Sequence, residues 1–100
     1  MKIKVKKLHP DAIIPHYATA GAACFDLHAL VENVPLMDCS PKYTDPVIVR
    51  TGLSFEIPES HVMLIFSRSG HGFNFDTRLA NCVGVIDSDY RGEVKVKLTR

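Results

Sequence analysis

Short segments in which apolar and charged residues alternate recur along the chain, and they constrain the fold more than any other feature. Ile3 and Val5 alternate with lysines near the start of the sequence, and the same pattern returns from Val94 to Leu98. A period of two places successive side chains on opposite faces of a β-strand. No stretch of about 11 or more residues has the apolar spacing of an amphipathic helix. The pattern therefore predicts an all-β chain.

Five further segments have strand character, and turn residues separate them. The segments are Phe25–Ala29, Val47–Val49, Leu53–Ile57, Val62–Phe66 and Cys82–Ile86, and the turns are Thr19–Ala22, Ser40–Pro46, Pro58–Ser60 and Asp87–Gly92. Val62–Phe66 is continuously apolar, which predicts a strand covered on both faces. Many short strands at even spacing favour a sandwich, jelly roll or barrel. One hundred residues are enough for one domain, so we expect a single domain over 1–100.

The last strand pattern, Val94 to Arg100, reaches the end of the sequence without a closing turn. An unpaired strand at a sheet edge tends to associate with another chain. The pattern therefore predicts either truncation at the C-terminus or oligomerisation.

Charge and composition argue against several kinds of partner. The net charge is only +1, so we expect neither nucleic acid nor a membrane as a partner. Met1–Lys7 lacks the apolar core of a signal peptide, and no apolar run is long enough to span a bilayer, which together predict a cytoplasmic location. The three cysteines are widely spaced, which predicts free thiols in or near a core. The five histidines are scattered and indicate no metal cage.

Two polar stretches lie next to strand patterns. In the first, Ala18–Ala29, Asp26 is the one acid, and it either faces solvent or points at a metal ion or its waters. The second, Ser67–Gly72, follows an apolar strand and contains hydroxyls, a guanidinium and glycines. Such groups can form a phosphate cradle, although an ordinary loop has the same composition.

A third polar stretch, Asn81–Glu93, brackets a tight apolar hairpin with acids and a tyrosine. A structural turn explains Asp89 and Gly92, but it does not require Asn81, Asp87 and Tyr90 together. A carboxylate at the edge of a hairpin can orient water as a general base. A tyrosine ring beside it can lie against a sugar.

In this order and spacing, the three stretches resemble the first three of the five motifs of trimeric deoxyuridine triphosphatases (dUTPases). Asn81-x-x-Gly-Val-Ile-Asp-Ser-Asp-Tyr-Arg-Gly92 is similar to the family's hairpin almost residue for residue. Arg68-Ser-Gly70 resembles its phosphate motif, and Thr51-Gly-Leu53 with Ile57-Pro58 resembles its usual connection. The resemblance implies a distorted, barrel-like jelly roll that forms a homotrimer and hydrolyses dUTP to dUMP and pyrophosphate with Mg²⁺.

The resemblance also implies a role for each motif residue. Asp87 would activate the water that attacks the α-phosphorus, and Tyr90 would pack on the deoxyribose and exclude a 2′-hydroxyl. Asn81 would read the uracil edge together with the hairpin backbone. The remaining expected ligands are Gly84, Val85 and Ile86 for the base, Arg68, Ser69 and Gly70 for phosphate across a subunit junction, and Asp26 for Mg²⁺ through water.

This sequence departs from the family pattern at Cys24, His28 and Ser67, where glycine, arginine and proline are common. The family's last two motifs would lie beyond residue 100, so the resemblance implies a C-terminally truncated chain. Three other functions remain open: a related dCTP deaminase, a non-catalytic deoxynucleotide-binding or regulatory trimer, and a structural β domain. The hairpin from Asn81 to Tyr90 favours the hydrolase.

Overall fold

The computed structural model describes residues 1–30 and 46–100, in which seven strands and one short helix form. The elements are β1 (Lys4–Lys7), β2 (Val47–Arg50), β3 (Leu53–Glu56), β4 (Met63–Ile65), α1 (Ser69–Phe75), β5 (Arg78–Leu79), β6 (Gly84–Ile86) and β7 (Lys95–Thr99). All but one of the predicted strand segments contain a strand, and the all-β prediction is confirmed. Cys39 lies outside the described residues. So does the predicted turn Ser40–Pro46, apart from its last residue.

The strands pair antiparallel in three small sheets. β1 pairs with β3, β7 lies between β2 and β5, and β4 pairs with β6. In the β4–β6 pair, Met63 lies opposite Ile86, Leu64 opposite Val85 and Ile65 opposite Gly84. This last pair of strands leads into the turn that contains Asp87.

The core forms where β3 and its flanking residues meet the start of the β7 segment. Leu53, Phe55 and Ile57 alternate along one face and are almost fully buried, as are Leu30 and Val94. Their alternation is the period of two that the sequence predicts. Apolar side chains of β1, β4 and β6 pack around this cluster, so the core fixes the ends of the strands that carry the polar stretches.

The predicted strand Phe25–Ala29 is not a strand in this structure, although its burial follows the predicted alternation. Phe25 and Leu27 are half-buried and pack against the core, whereas Asp26 and His28 are exposed. A strand requires a hydrogen-bonded partner. Leu30, the residue after this segment, donates its N–H to the Arg50 carbonyl at 2.9 Å.

Within the single chain, the prediction that Val62–Phe66 is covered on both faces is wrong. Met63 and Ile65 pack towards the core, but Leu64 on the other face is 47% exposed, and its cross-strand partner Val85 is 60% exposed. The reason is that the β4–β6 pair has a packing layer on one side only within the described chain. An apolar outer face of this kind is a feature of surfaces that bind another protein.

The sequence pattern did not predict α1, because it has seven residues and two glycines, too short and too glycine-rich for a helical period to register. It ends at Asp76, whose φ of 54° is left-handed and whose N–H donates to the Gly72 carbonyl at 3.2 Å. Cys24 and Cys82 are free thiols as predicted, but both are exposed rather than near a core. No helix in residues 1–30 and 46–100 is long and apolar enough to cross a membrane.

Candidate active site

The fold brings together Asp26 of the first polar stretch and Arg68 of the second. An Asp26 carboxylate oxygen lies 3.8 Å from Arg68 Nε, and the two side chains are 48% and 64% exposed. An ion pair this exposed contributes only about 0–1 kcal/mol because water screens it. An incoming anion can therefore replace the carboxylate on the guanidinium at little cost.

The direction of Asp26 follows from the alternation of its neighbours. Phe25 and Leu27 turn inward, and the Phe25 ring makes an edge-on contact with Tyr17 at 5.8 Å between centroids. Because adjacent side chains of an extended segment point to opposite sides, Asp26 is presented outward beside the end of β4.

On one side of Arg68, Ser67 makes a structural hydrogen bond, and on the other side Ser69 and Gly70 are exposed. The Ser67 hydroxyl accepts a hydrogen bond from Leu79 N–H at 2.9 Å and so ties the end of β4 to β5. Ser69 and Gly70 begin α1 and are exposed. A Cβ at Gly70 would meet no atom within 4 Å, so the described chain leaves open space there.

The third stretch, Asn81–Glu93, is not a two-stranded hairpin as predicted, because β6 pairs with β4 while β7 pairs with β2 and β5. It forms a tight turn directly after β6, and the name hairpin is kept below for this segment. Tyr90 N–H donates to the Asp87 carbonyl at 3.1 Å, which closes the predicted turn. Arg91 Nη1 donates to the Ser88 carbonyl at 2.6 Å and braces the same turn. The turn is therefore closed by backbone groups and Arg91, while Asp87 is exposed.

The Tyr90 ring has a defined position although it is 44% exposed. Its hydroxyl donates to the Glu93 carbonyl at 3.0 Å, and the ring lies over Gly92. A Cβ at Gly92 would stand 2.6 Å from the Tyr90 hydroxyl oxygen, closer than any real side chain can approach. Gly92 is thus required for the pose of the ring.

Asn81 lies at the opposite end of β6, in the bend that joins β5 to β6. Its carbonyl accepts a hydrogen bond from Val83 N–H at 2.8 Å, and Cys82 between them has a left-handed φ of 68°. Such a conformation is uncommon for a residue with a side chain and is typical of tight bends and functional loops. The Asn81 side chain is exposed.

The polar stretches form two groups within one chain. Asp26, Arg68 and Ser69 border a cavity of about 650 Å³. Asn81, Asp87 and Tyr90, all described, are not among the residues that border this cavity. The predicted phosphate and metal residues are therefore neighbours of one another, while the predicted base and sugar residues lie apart from them, on β6 and at its two ends.

Sequence reasoning missed one feature of the hairpin, the anchoring of Glu93. Its carboxylate accepts hydrogen bonds from Arg50 Nε at 3.1 and 3.0 Å and from Gly52 N–H at 3.0 Å. The hydrogen bond from Arg50 lowers the pKa of Glu93 below its usual 4.5, with Gly52 and the charge of Lys95 acting in the same direction against the effect of burial. In the sequence Arg50 and Glu93 are only two opposite charges far apart along the chain, which does not identify them as a pair.

Comparison with known proteins settles the family. A family model described as dUTPase matches residues 10–100, which contain all three polar stretches. The chain belongs to the dUTPase family. The family membership implied by the three motifs is therefore confirmed.

Curated relatives carry the name deoxyuridine 5′-triphosphate nucleotidohydrolase. The Helicobacter hepaticus protein is 45% identical over 98 residues, which are 98% of this chain and 58% of the relative. The Nautilia profundicola protein is also 45% identical over 98 residues, and the match covers 65% of it. The chain thus spans roughly three fifths of the length of these dUTPase relatives.

Solved dUTPases of staphylococcal phages share the fold. A mutant dUTPase from phage phi11 of S. aureus matches with a TM-score of 0.78 at 22% identity, over 99% of this chain and 60% of that one. A mutant of the phage 80alpha dUTPase with dUpNHpp matches with a TM-score of 0.76 at 24% identity, over 97% and 53%. At these identities the likeness concerns the fold alone, and it confirms the predicted jelly-roll type.

Proposed function

We propose that this protein hydrolyses dUTP to dUMP and pyrophosphate. The observation that carries the proposal is the turn after β6, where Asp87 and Tyr90 are exposed on a turn that a backbone hydrogen bond closes. The family match and the names of the curated relatives support the same reaction and favour it over dCTP deamination. We further propose the cytoplasm as its location.

In the proposed reaction Asp87 acts as the general base. Its carboxylate takes a proton from a water molecule whose oxygen forms a bond to the α-phosphorus. The bond from that phosphorus to the α,β-bridging oxygen breaks, and pyrophosphate leaves. General-base assistance of this kind contributes about 10²–10⁴-fold to the rate.

Selection of deoxyuridine is assigned to the rest of the hairpin. The Tyr90 ring, fixed over Gly92, would pack on the deoxyribose and exclude a 2′-hydroxyl. Asn81 and the backbone of β6, which contains Gly84, Val85 and Ile86, would read the uracil edge. A site that hydrogen-bonds one base edge leaves buried groups unpaired with the wrong base, at about 1–3 kcal/mol per group.

The triphosphate is assigned to Arg68, Ser69 and Gly70, which are exposed beside open space.

Asp26 would face Mg²⁺ through water. One outward carboxylate fits an ion that keeps several waters and takes other ligands from phosphates. Within the described residues, no three His, Cys, Asp or Glu side chains could hold a metal ion together, so the nucleotide would supply ligands. The phi11 dUTPase mutant is described as coordinating a structural Mg(II) ion.

The two groups of site residues support assembly as a homotrimer. If the hairpin of one copy approaches Arg68 and Asp26 of another, the separated halves become one site. The apolar outer face of β4 and β6 supplies a surface that such an assembly would cover.

The test is release of pyrophosphate from dUTP with Mg²⁺ by the wild type, Asp87→Asn and the control Asp89→Asn. The 100-residue chain and the complete product of its reading frame are both assayed. We expect Asp87→Asn to lose at least about 10²-fold in turnover while still binding dUTP, because an amide has the shape of the carboxylate but does not accept the proton. We expect Asp89→Asn to lose far less, since Asp89 is a turn residue.

Greater damage from Asp89→Asn, with both variants folded, would show that the wrong carboxylate was chosen. Binding of dUTP without turnover by the wild type would support a non-catalytic nucleotide-binding protein instead. Equal affinity for dUTP, UTP and dCTP analogues would contradict the assignment of the hairpin.

A further inference from the structure

Glu93 is almost buried at the junction between the hairpin and β7, with its side chain 12% exposed. Arg50 Nε, from the end of β2, reaches both carboxylate oxygens, and Gly52 N–H reaches one of them. Three donated contacts to one carboxylate make it a well-satisfied anchor. The anchor connects the residue after Gly92 to the turn between β2 and β3.

The turn that receives Glu93 is itself immobilised by the core. Gly52 has a left-handed φ of 69°, and a Cβ there would stand 3.0 Å from the Ala12 side chain. The buried Thr51 hydroxyl donates to the Val94 carbonyl at 2.7 Å and accepts from Leu53 N–H at 3.2 Å. The anchor point of Glu93 is therefore a tightly packed part of the molecule rather than a loop that could follow the hairpin.

The backbone of the same residue holds the Tyr90 side chain. Tyr90 Oη donates to the Glu93 carbonyl at 3.0 Å, on the exposed side of the junction. The carboxylate of Glu93 thus points into the molecule while its carbonyl points to the ring. A backbone rotation at Glu93 that breaks the contacts with Arg50 and Gly52 also moves the carbonyl that accepts from the Tyr90 hydroxyl.

We propose that Glu93 is a positioning residue, held by Arg50 and Gly52, that fixes the Tyr90 ring and thereby sets the discrimination between deoxyribose and ribose. This inference rests on the proposed function for its consequence, but the placement of the ring is testable without nucleotide. Glu93 itself is not assigned any contact with substrate.

The experiment compares Glu93→Ala and Glu93→Gln with the wild type and with the control Glu56→Gln. The control removes a carboxylate from an exposed pair, Glu56 with Lys4 at 3.9 Å, on the β1–β3 sheet. The first measurement is the set of tyrosine ring signals in NMR spectra of ¹³C-tyrosine-labelled chain, with Tyr90 assigned from the Tyr90→Phe spectrum. The absence of tryptophan and the presence of only three tyrosines keep this spectrum simple.

We expect Glu93→Ala to shift or broaden the Tyr90 signals and to leave those of Tyr17 in place. Glu93→Gln should have a smaller effect because its amide oxygen still accepts from Gly52 N–H. Glu56→Gln should change neither residue. Unchanged Tyr90 signals in folded Glu93→Ala would overturn the inference, since a merely stabilising carboxylate would lower the melting temperature without moving the ring.

The second measurement is the ratio of dissociation constants for dUpNHpp and its ribose counterpart UpNHpp, with Mg²⁺. We expect Glu93→Ala to reduce the preference for the deoxy compound by roughly tenfold. A preserved ratio in a variant with displaced Tyr90 signals would refute the link to sugar discrimination. If the wild type binds neither compound, the proposed function fails, and the tyrosine signals alone decide whether Glu93 positions the ring.

Discussion

At the residue scale, Gly92 shows how a small side chain can be required by a neighbour rather than by its own backbone. Of the glycines, all of which are described, only Gly52 has a positive φ. Gly92 therefore has backbone angles that other residues also adopt. The interpretation that the turn alone explains Gly92 is incomplete. What requires glycine is the Tyr90 phenol, which occupies the place of a Cβ.

This leads to a prediction for Gly92→Ala. The new methyl would lie 2.6 Å from the Tyr90 hydroxyl oxygen and 2.7 Å from the ring carbon that bears it, so the ring must move. We expect the free energy of unfolding to change by less than about 1 kcal/mol, whereas preference for dUpNHpp over UpNHpp falls by roughly tenfold. Calorimetric titration with both compounds measures the preference.

Gly21→Ala is the matched control, because a Cβ at Gly21 would meet nothing within 4 Å. It should keep the wild-type preference. Retention of full preference by Gly92→Ala would mean that the Tyr90 ring does not select the sugar.

At the scale of elements, the sequence predicted strands well where their alternation matched the final packing. Leu53, Phe55 and Ile57 are buried, and Val94, Val96 and Leu98 are buried or half-buried between exposed lysines. Both segments contain strands. Phe25–Ala29 has the same alternation but pairs with no strand in residues 1–30 and 46–100. Pairing is a property of the whole fold that a local period does not encode. The prediction for Val62–Phe66 differed from the structure for another reason. A continuous apolar run does not distinguish burial in the core from burial against another molecule.

The site residues also differ in whether a local sequence pattern could predict them. The motif residues Asp87, Tyr90 and Arg68 were recognisable because they stand together in short runs with a known order. Glu93 and Arg50 were not, because their contact joins two strand ends that meet only after β2 and β7 pair. Local motifs therefore predicted the groups assigned to substrate, while the groups that hold them required the three-dimensional structure.

The Glu93 anchor between strands also makes stability depend on pH. Because the hydrogen bond from Arg50 holds the folded-state pKa of Glu93 below 4.5, the ionised carboxylate stabilises the folded chain at neutral pH. This contribution is present above the unfolded pKa and is lost as pH falls through the folded pKa. We expect Glu93→Gln to cost about 1 kcal/mol near neutral pH and progressively less in acid, as measured by urea unfolding at a series of pH values.

Arg50 and Lys95 are the charged groups that act on Glu93. Glu56→Gln, which removes an exposed pair, should show almost no difference from the wild type at any pH. A Glu93→Gln deficit that stayed constant into acid would show that the carboxylate's charge does not contribute.

At the scale of the whole molecule, the outer face of β4 and β6 is the feature that a single chain does not explain. Val62, Leu64, Phe66, Val83 and Val85 alternate with the core-facing residues and are between 38% and 60% exposed. A contiguous apolar surface of this kind is uncommon on a protein that works alone. In the proposed homotrimer this face would be covered by a neighbouring copy.

Leu64→Lys tests that assignment. Leu64 is 47% exposed, so a lysine there can reach water in an isolated chain, but it would place a charge inside an interface that covers the face. Burying an unpaired charge costs several kcal/mol, so we expect trimer dissociation to become at least about a hundredfold easier. Sedimentation velocity over a range of protein concentrations measures the shift from trimer to monomer.

Ile48→Lys is the control, because Ile48 is also exposed, at 62%, but lies on β2 in a different sheet. Equal behaviour of the two variants, or a wild type that sediments as a folded monomer, would show that this face is not where copies of the chain meet.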